Sequence, residues 1–108
     1  MMIFVIAACT ANKAYVAAGL SHDSYTSTMT SLGEMYNNGE LTEAQKESIR
    51  PYSDAYVMAH NTSVEAFATY IELWDSTSEE AYLASVRAMQ TALLDFIKFT
   101  KKYLRGAN

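Results

Sequence analysis

Apolar and aromatic residues recur at alternating steps of three and four along almost the whole chain. The first row is Tyr15, Ala18, His22, Tyr25, Met29, Leu32 and Tyr36. The second is Ile49, Tyr52, Tyr56, Ala59, Ser63, Ala66, Tyr70 and Leu73. The third is Tyr82, Val86, Met89, Leu93, Phe96 and Tyr103. That spacing gathers side chains on one face of an α-helix and scatters them on a strand, whose faces alternate every second residue. Such a chain folds as packed helices. With 4 Gly and 1 Pro in 108 residues, there is little turn material for a sheet.

Two breaks separate the rows. Asn37-Asn38-Gly39 suits a helix end, because Asn and Gly tolerate the left-handed backbone of a C-cap. Thr42 and Gln45 then form a Thr-x-x-Gln capping box that opens the next helix. Asp75-Ser76-Thr77-Ser78 makes the second break, with Thr77 and Glu80 spaced as another capping box. Arg105-Gly106 closes the third row. Pro51 falls inside the second row, where it deletes a backbone donor and crowds the preceding turn. The row keeps its register across Pro51, which predicts a kink or a short helix running into a longer one. Short connections place consecutive helices side by side and antiparallel. The expected fold is all-α: an up-down-up three-helix bundle over residues 10–108, with helix 2 kinked at Pro51. Each helix is expected to span roughly 25–30 residues, about 40 Å at the standard rise.

Half the residues are apolar and 19 % are charged, which is the composition of one folded domain rather than a disordered chain. The net charge of −4 opposes generic nucleic-acid binding, which requires a basic surface. Cations collect at the C-terminal end, where Lys98, Lys101, Lys102 and Arg105 follow the last acid, Asp95. They complement the negative end of a helix dipole, and they also form a candidate contact for an anionic partner. All eight tyrosines lie on or near the rows. Tyr15, Tyr25 and Tyr36 make a seam with a polar rim, suited to core-edge packing or to receiving a second chain. The first helix is also rich in Ser and Thr, whose hydroxyls compete for backbone groups, so it depends on tertiary packing.

Residues that carry chemistry are few and dispersed. His22 sits on the first row and His60 beside the second, without the Glu-x-x-His or His-x-x-x-His spacing of helical metal sites. Glu34, Glu65, Glu72 and Asp95 are spread over polar faces, with no pair arranged for acid–base work. There is no phosphate-binding glycine loop and no Gly-x-Ser-x-Gly elbow. The chain reads as non-enzymatic, with no cofactor and no metal.

One local motif bears on location. Ile6-Ala7-Ala8-Cys9 ends a short apolar run, and Cys9 is the single cysteine. The run is too short to span a bilayer, which needs about 20 apolar residues. Small residues directly before a lone cysteine resemble the lipobox of bacterial lipoproteins, although no basic residue precedes them. The resemblance covers only residues 1–9. It implies a signal-like segment, lipid attachment at Cys9, and a small protein of bacterial or phage origin anchored in the cell envelope, at the periplasmic or outer surface. By the same resemblance, the basic end at Lys98–Arg105 would stand away from the anchoring membrane. An accessory role such as exclusion or immunity, exerted by binding a protein or an anionic envelope component, is what such a family implies. The alternative is a soluble, cytoplasmic all-α interaction module, homodimeric through the tyrosine seam, in which residues 1–8 simply extend helix 1.

Overall fold

In the computed structural model the described backbone covers residues 2–104, and the described side chains cover 13–104. Three helices account for nearly all of it: α1 (Met2–Asn37), α2 (Glu43–Leu73) and α3 (Ser76–Thr100). No strand occurs among the described residues. The molecule is elongated, 57 × 22 × 17 Å. At 36 residues, α1 is longer than expected, because it runs from Met2 without a break across position 9. Pro51 lies within the single helix α2 and does not divide it.

The first turn follows its sequence signals. Gly39 takes φ +79°, the left-handed region. Its N–H donates to the Tyr36 carbonyl at 3.1 Å, and the Glu40 N–H donates to the Met35 carbonyl at 2.8 Å. These two bonds form a Schellman motif that satisfies the last carbonyls of α1. Thr42 caps α2 as expected: the Gln45 N–H donates to Thr42 Oγ1 at 3.1 Å, and the Thr42 N–H donates to Gln45 Oε1 at 2.8 Å.

The second turn is tighter than expected, and its cap is a different residue. Asp75, not Thr77, is the N-cap of α3, and its carboxylate accepts from the Ser78 N–H at 2.8 Å and the Ser78 hydroxyl at 2.6 Å. Those bonds hold the Asp75 carboxyl below its usual range. Thr77 lies inside α3, so the Thr77/Glu80 box does not form the cap. Only Trp74 and Asp75 connect α2 to α3. Trp74 adopts φ 51°, a left-handed conformation costly for any residue but glycine, and its N–H donates to the Tyr70 carbonyl at 2.7 Å.

The closest packing joins α2 to α3, and α1 lies against α3. Three small polar residues of α2 and α3, Ser63, Ser78 and Ser85, are buried. The core of α2 repeats every seven residues at Ile49, Tyr56, Ser63 and Tyr70. On α3, Tyr82, Met89 and Phe96 make one such row and Val86, Leu93 and Thr100 another. A seven-residue repeat keeps a seam facing its neighbour when helices pack as in a coiled coil. Buried hydroxyls on α3 are satisfied by its own backbone: Ser85 donates to the Tyr82 carbonyl at 2.6 Å, and Thr100 to the Phe96 carbonyl at 2.8 Å.

Candidate functional site

The chemistry-bearing side chains meet where α1 faces α2. These two helices approach through long side chains, and their backbones touch less than either does with α3. His22 and Tyr25 come from α1, and Ser53, Tyr56 and His60 from α2. The His22 and His60 rings stack with centroids 4.2 Å apart and planes at 14°. Tyr25 stacks on Tyr56 at 4.1 Å, and Phe96 of α3 closes the layer against Tyr25 at 5.0 Å. The Tyr56 hydroxyl shares a 3.3 Å hydrogen bond with His22 Nδ1, and the hydroxyls of Tyr25 and Ser53 share one of 2.6 Å. Higher along the seam, Tyr15 packs on Phe67 at 5.0 Å.

The electrostatics of this layer favour neutral groups. Burial, followed by the neighbouring charge of His22, pushes the His60 imidazole below its ordinary pKa. Its Nδ1 is buried with no hydrogen-bond partner. Burial, reinforced by Tyr25, pushes the fully buried Tyr56 phenol up to about 12. A phenol held that far above neutrality is a poor proton donor or nucleophile at physiological pH. Among the described residues no three His, Cys, Asp or Glu side chains gather as a metal site. The layer supplies packing and hydrogen bonds between α1 and α2.

The sequence-derived candidates occupy separate places. Cys9 falls on the backbone of α1, and its side chain lies outside the described residues. Tyr15, Tyr25 and Tyr36 do not form one exposed strip: Tyr25 is buried in the core, whereas Tyr15 is 56 % and Tyr36 36 % exposed. The Tyr36 hydroxyl donates to Glu43 at 2.6 Å, which clamps the first turn. At the far end of α3, Lys98 and Lys101 are exposed, and Lys102 lies over the rings of Phe99 (4.6 Å) and Tyr103 (5.2 Å). Arg105 lies outside the described residues. The basic cluster is thus present as a surface from Lys98 to Lys102.

A further set escapes the rule that finds the core. Val57, Val64 and Ile71 repeat every seven residues on α2 yet are 41 %, 55 % and 42 % exposed. Their one sequence signal is that spacing. No helix among the described residues is long and apolar enough to cross a membrane. Comparison of the chain with protein-family models, with curated proteins and with solved structures gives no match.

Proposed function

We propose that this protein is a non-enzymatic binding module of the cell envelope, anchored by lipid on Cys9 and presenting the sides of its helices to a partner. Its helices run up, down and up, with α2 bent at Pro51. The pairing of Tyr36 with Glu43, Tyr25 with Ser53 and Tyr15 with Phe67 supports that course, because falling numbers on α1 match rising numbers on α2. The observation that carries the binding reading is the distribution of apolar surface. Leu20, Met58, Val64, Leu73, Trp74 and Leu94 are each more than half exposed, while the histidines and central tyrosines are spent on internal packing. A folded domain with quiet interior chemistry and large apolar side chains outside is built for contact. Membrane attachment rests on the resemblance of Ile6-Ala7-Ala8-Cys9 to a lipobox.

Metabolic labelling with a radioactive fatty acid tests the anchor. Wild type is expected to incorporate label and fractionate with membranes, and Cys9→Ser to lose both. An unlabelled wild-type protein that keeps Met1 and a free thiol would remove the envelope assignment. The exposed rings of Tyr15 and Tyr36 favour a second reading, a soluble module that pairs with another copy. Recovery of that unmodified species from the soluble fraction as a dimer would select it.

A further inference from the structure

We propose that the open outer seam between α1 and α2 receives a helix of another protein, apolar on one face and flanked by lysine or arginine. This deepens the binding-module reading and does not depend on the lipid anchor. Two rows of residues border the seam. Val57, Val64 and Ile71 each follow by four residues a side chain that meets α1: Ser53 touches Tyr25, His60 touches His22, and Phe67 touches Tyr15. On α1, Gly19, Thr26 and Gly33 follow Tyr15, His22 and Met29 by the same step. Residues four apart share a helix face and both rows are exposed, so both lie along the solvent-facing margin of one seam.

The fold itself gives no reason for glycine at 19 and 33. A Cβ built at either position meets nothing within 4 Å. Exposed glycine inside a helix is destabilising relative to alanine, and its use is to let another backbone approach closely. At the turn end the seam deepens into a groove of about 320 Å³ between Met29, Leu32 and Gly33 of α1 and Ile49, Ser53 and Asp54 of α2. From Ile49 to Ile71 it offers about 33 Å, the length of a helix of roughly 22 residues.

Charge selects the occupant. Asp54, Glu65 and Glu72 flank the valine row, and no Lys or Arg occurs between Arg50 and Arg87. Lys46 and Arg50 also line the groove, and each is paired with an acid, Glu43 and Glu47 respectively. A second copy presenting the same face would bring acid against acid, whereas a cationic amphipathic helix finds complementary flanks.

Two synthetic helical peptides of roughly 22 residues test this, sharing one leucine face and carrying either lysine or glutamate on both flanks. Their binding to the purified full chain is read by fluorescence anisotropy. The lysine peptide is expected to bind, to weaken as salt is added, and to lose about tenfold or more in affinity with Val64→Lys or Gly33→Leu. Circular dichroism checks that these exposed substitutions leave the bundle folded. Equal affinity for both peptides, or binding untouched by both substitutions, would overturn the proposal. So would sedimentation of the peptide-free protein as a dimer that Val64→Lys dissociates. None of these results bears on fatty-acid labelling of Cys9, so the two readings fail separately.

Discussion

The imidazole of His22 lies flat on that of His60, 4.2 Å between ring centroids, and this pair joins α1 to α2 midway along the bundle. Tyr25 and Tyr56 stack beside it, and Phe96 of α3 packs against Tyr25. Two imidazolium ions at that separation repel, and the buried Nδ1 of His60 has no acceptor to stabilise a proton. The arrangement disfavours a proton on His60.

Acid therefore weakens the bundle. Burial holds the His60 pKa below its ordinary value of 6.5, so between the two values the unfolded chain binds more protons than the folded one. Unfolding free energy is expected to be level above pH 6.5 and to fall as the pH drops toward the folded pKa. Urea midpoints measured from pH 7.5 to 5 check this. His60→Leu is expected to flatten that limb and to hold or raise stability at pH 7, since an unpartnered buried nitrogen is removed. A His60→Leu protein with an unchanged acid limb would assign it elsewhere.

Alkali acts on the other half of the layer. Tyr56 in the fold ionises near 12 instead of 10, so the unfolded chain loses its proton first as the pH rises. Stability is expected to be intact below pH 10 and to fall between 10 and 12, by on the order of 2 kcal/mol from this residue. Tyr70 and Tyr82, also shifted up by burial, add to the same limb. Tyr56→Phe keeps the ring and deletes the hydroxyl bonded to His22, so the alkaline loss should shrink while the fold remains. Tyr56→Ala empties a fully buried site and is expected to cost about 3–5 kcal/mol, read from urea unfolding at pH 7.

The helix caps separate local sequence rules from what the fold selects. Thr42→Ala is expected to cost about 1 kcal/mol, since the Gln45 N–H loses its acceptor at Thr42 Oγ1 while the backbone bond from the Thr42 N–H remains. Asp75→Ala is expected to lower the melting temperature, because the Asp75 carboxylate holds Ser78, whereas Thr77→Ala should leave it nearly unchanged. Thermal melts of the three variants rank the caps directly. A larger loss for Thr77→Ala than for Asp75→Ala would move the start of α3.

These caps also show what the sequence discloses. Helical periodicity identified three helices and most of their buried positions, because Tyr56, Tyr82, Met89 and Phe96 lie on rows that recur over many turns. The first cap was equally legible, with one capping box beside one Asn-Gly stop. The second was not, since Asp75 and Thr77 both satisfy a local rule and only the two-residue connection decides between them. Nothing local announces a tryptophan in the left-handed region; Trp74 is held there by the turn and by its contact with Tyr70 at 5.2 Å. Row membership overstated burial where a row leaves the core, so Tyr15 and Leu73 stand exposed. His22 and His60 were visible as residues on or near two rows, but their stacking depends on the register between α1 and α2. That register is set by the layer of large side chains and by no single motif.

Glycine substitutions should move stability in opposite directions within this one chain. Gly39 has φ +79°, and two backbone bonds closing α1 depend on that conformation. Alanine there is forced into the left-handed region, at a cost of about 1 kcal/mol. Gly33 sits within α1 with an open space where a Cβ would stand. Gly33→Ala is expected to gain about 0.5–1 kcal/mol, because alanine narrows the unfolded ensemble and favours the helix. For a domain of this size, each kcal/mol moves the melting temperature by roughly 4–8 °C. Thermal denaturation followed by circular dichroism should therefore show Gly39→Ala melting below the wild type and Gly33→Ala above it. The gain at Gly33 is the stability forgone to keep the outer seam narrow-sided. If Gly33→Ala instead destabilises the isolated chain, the glycine serves the bundle's own packing, and the case for close approach by another helix loses one of its supports.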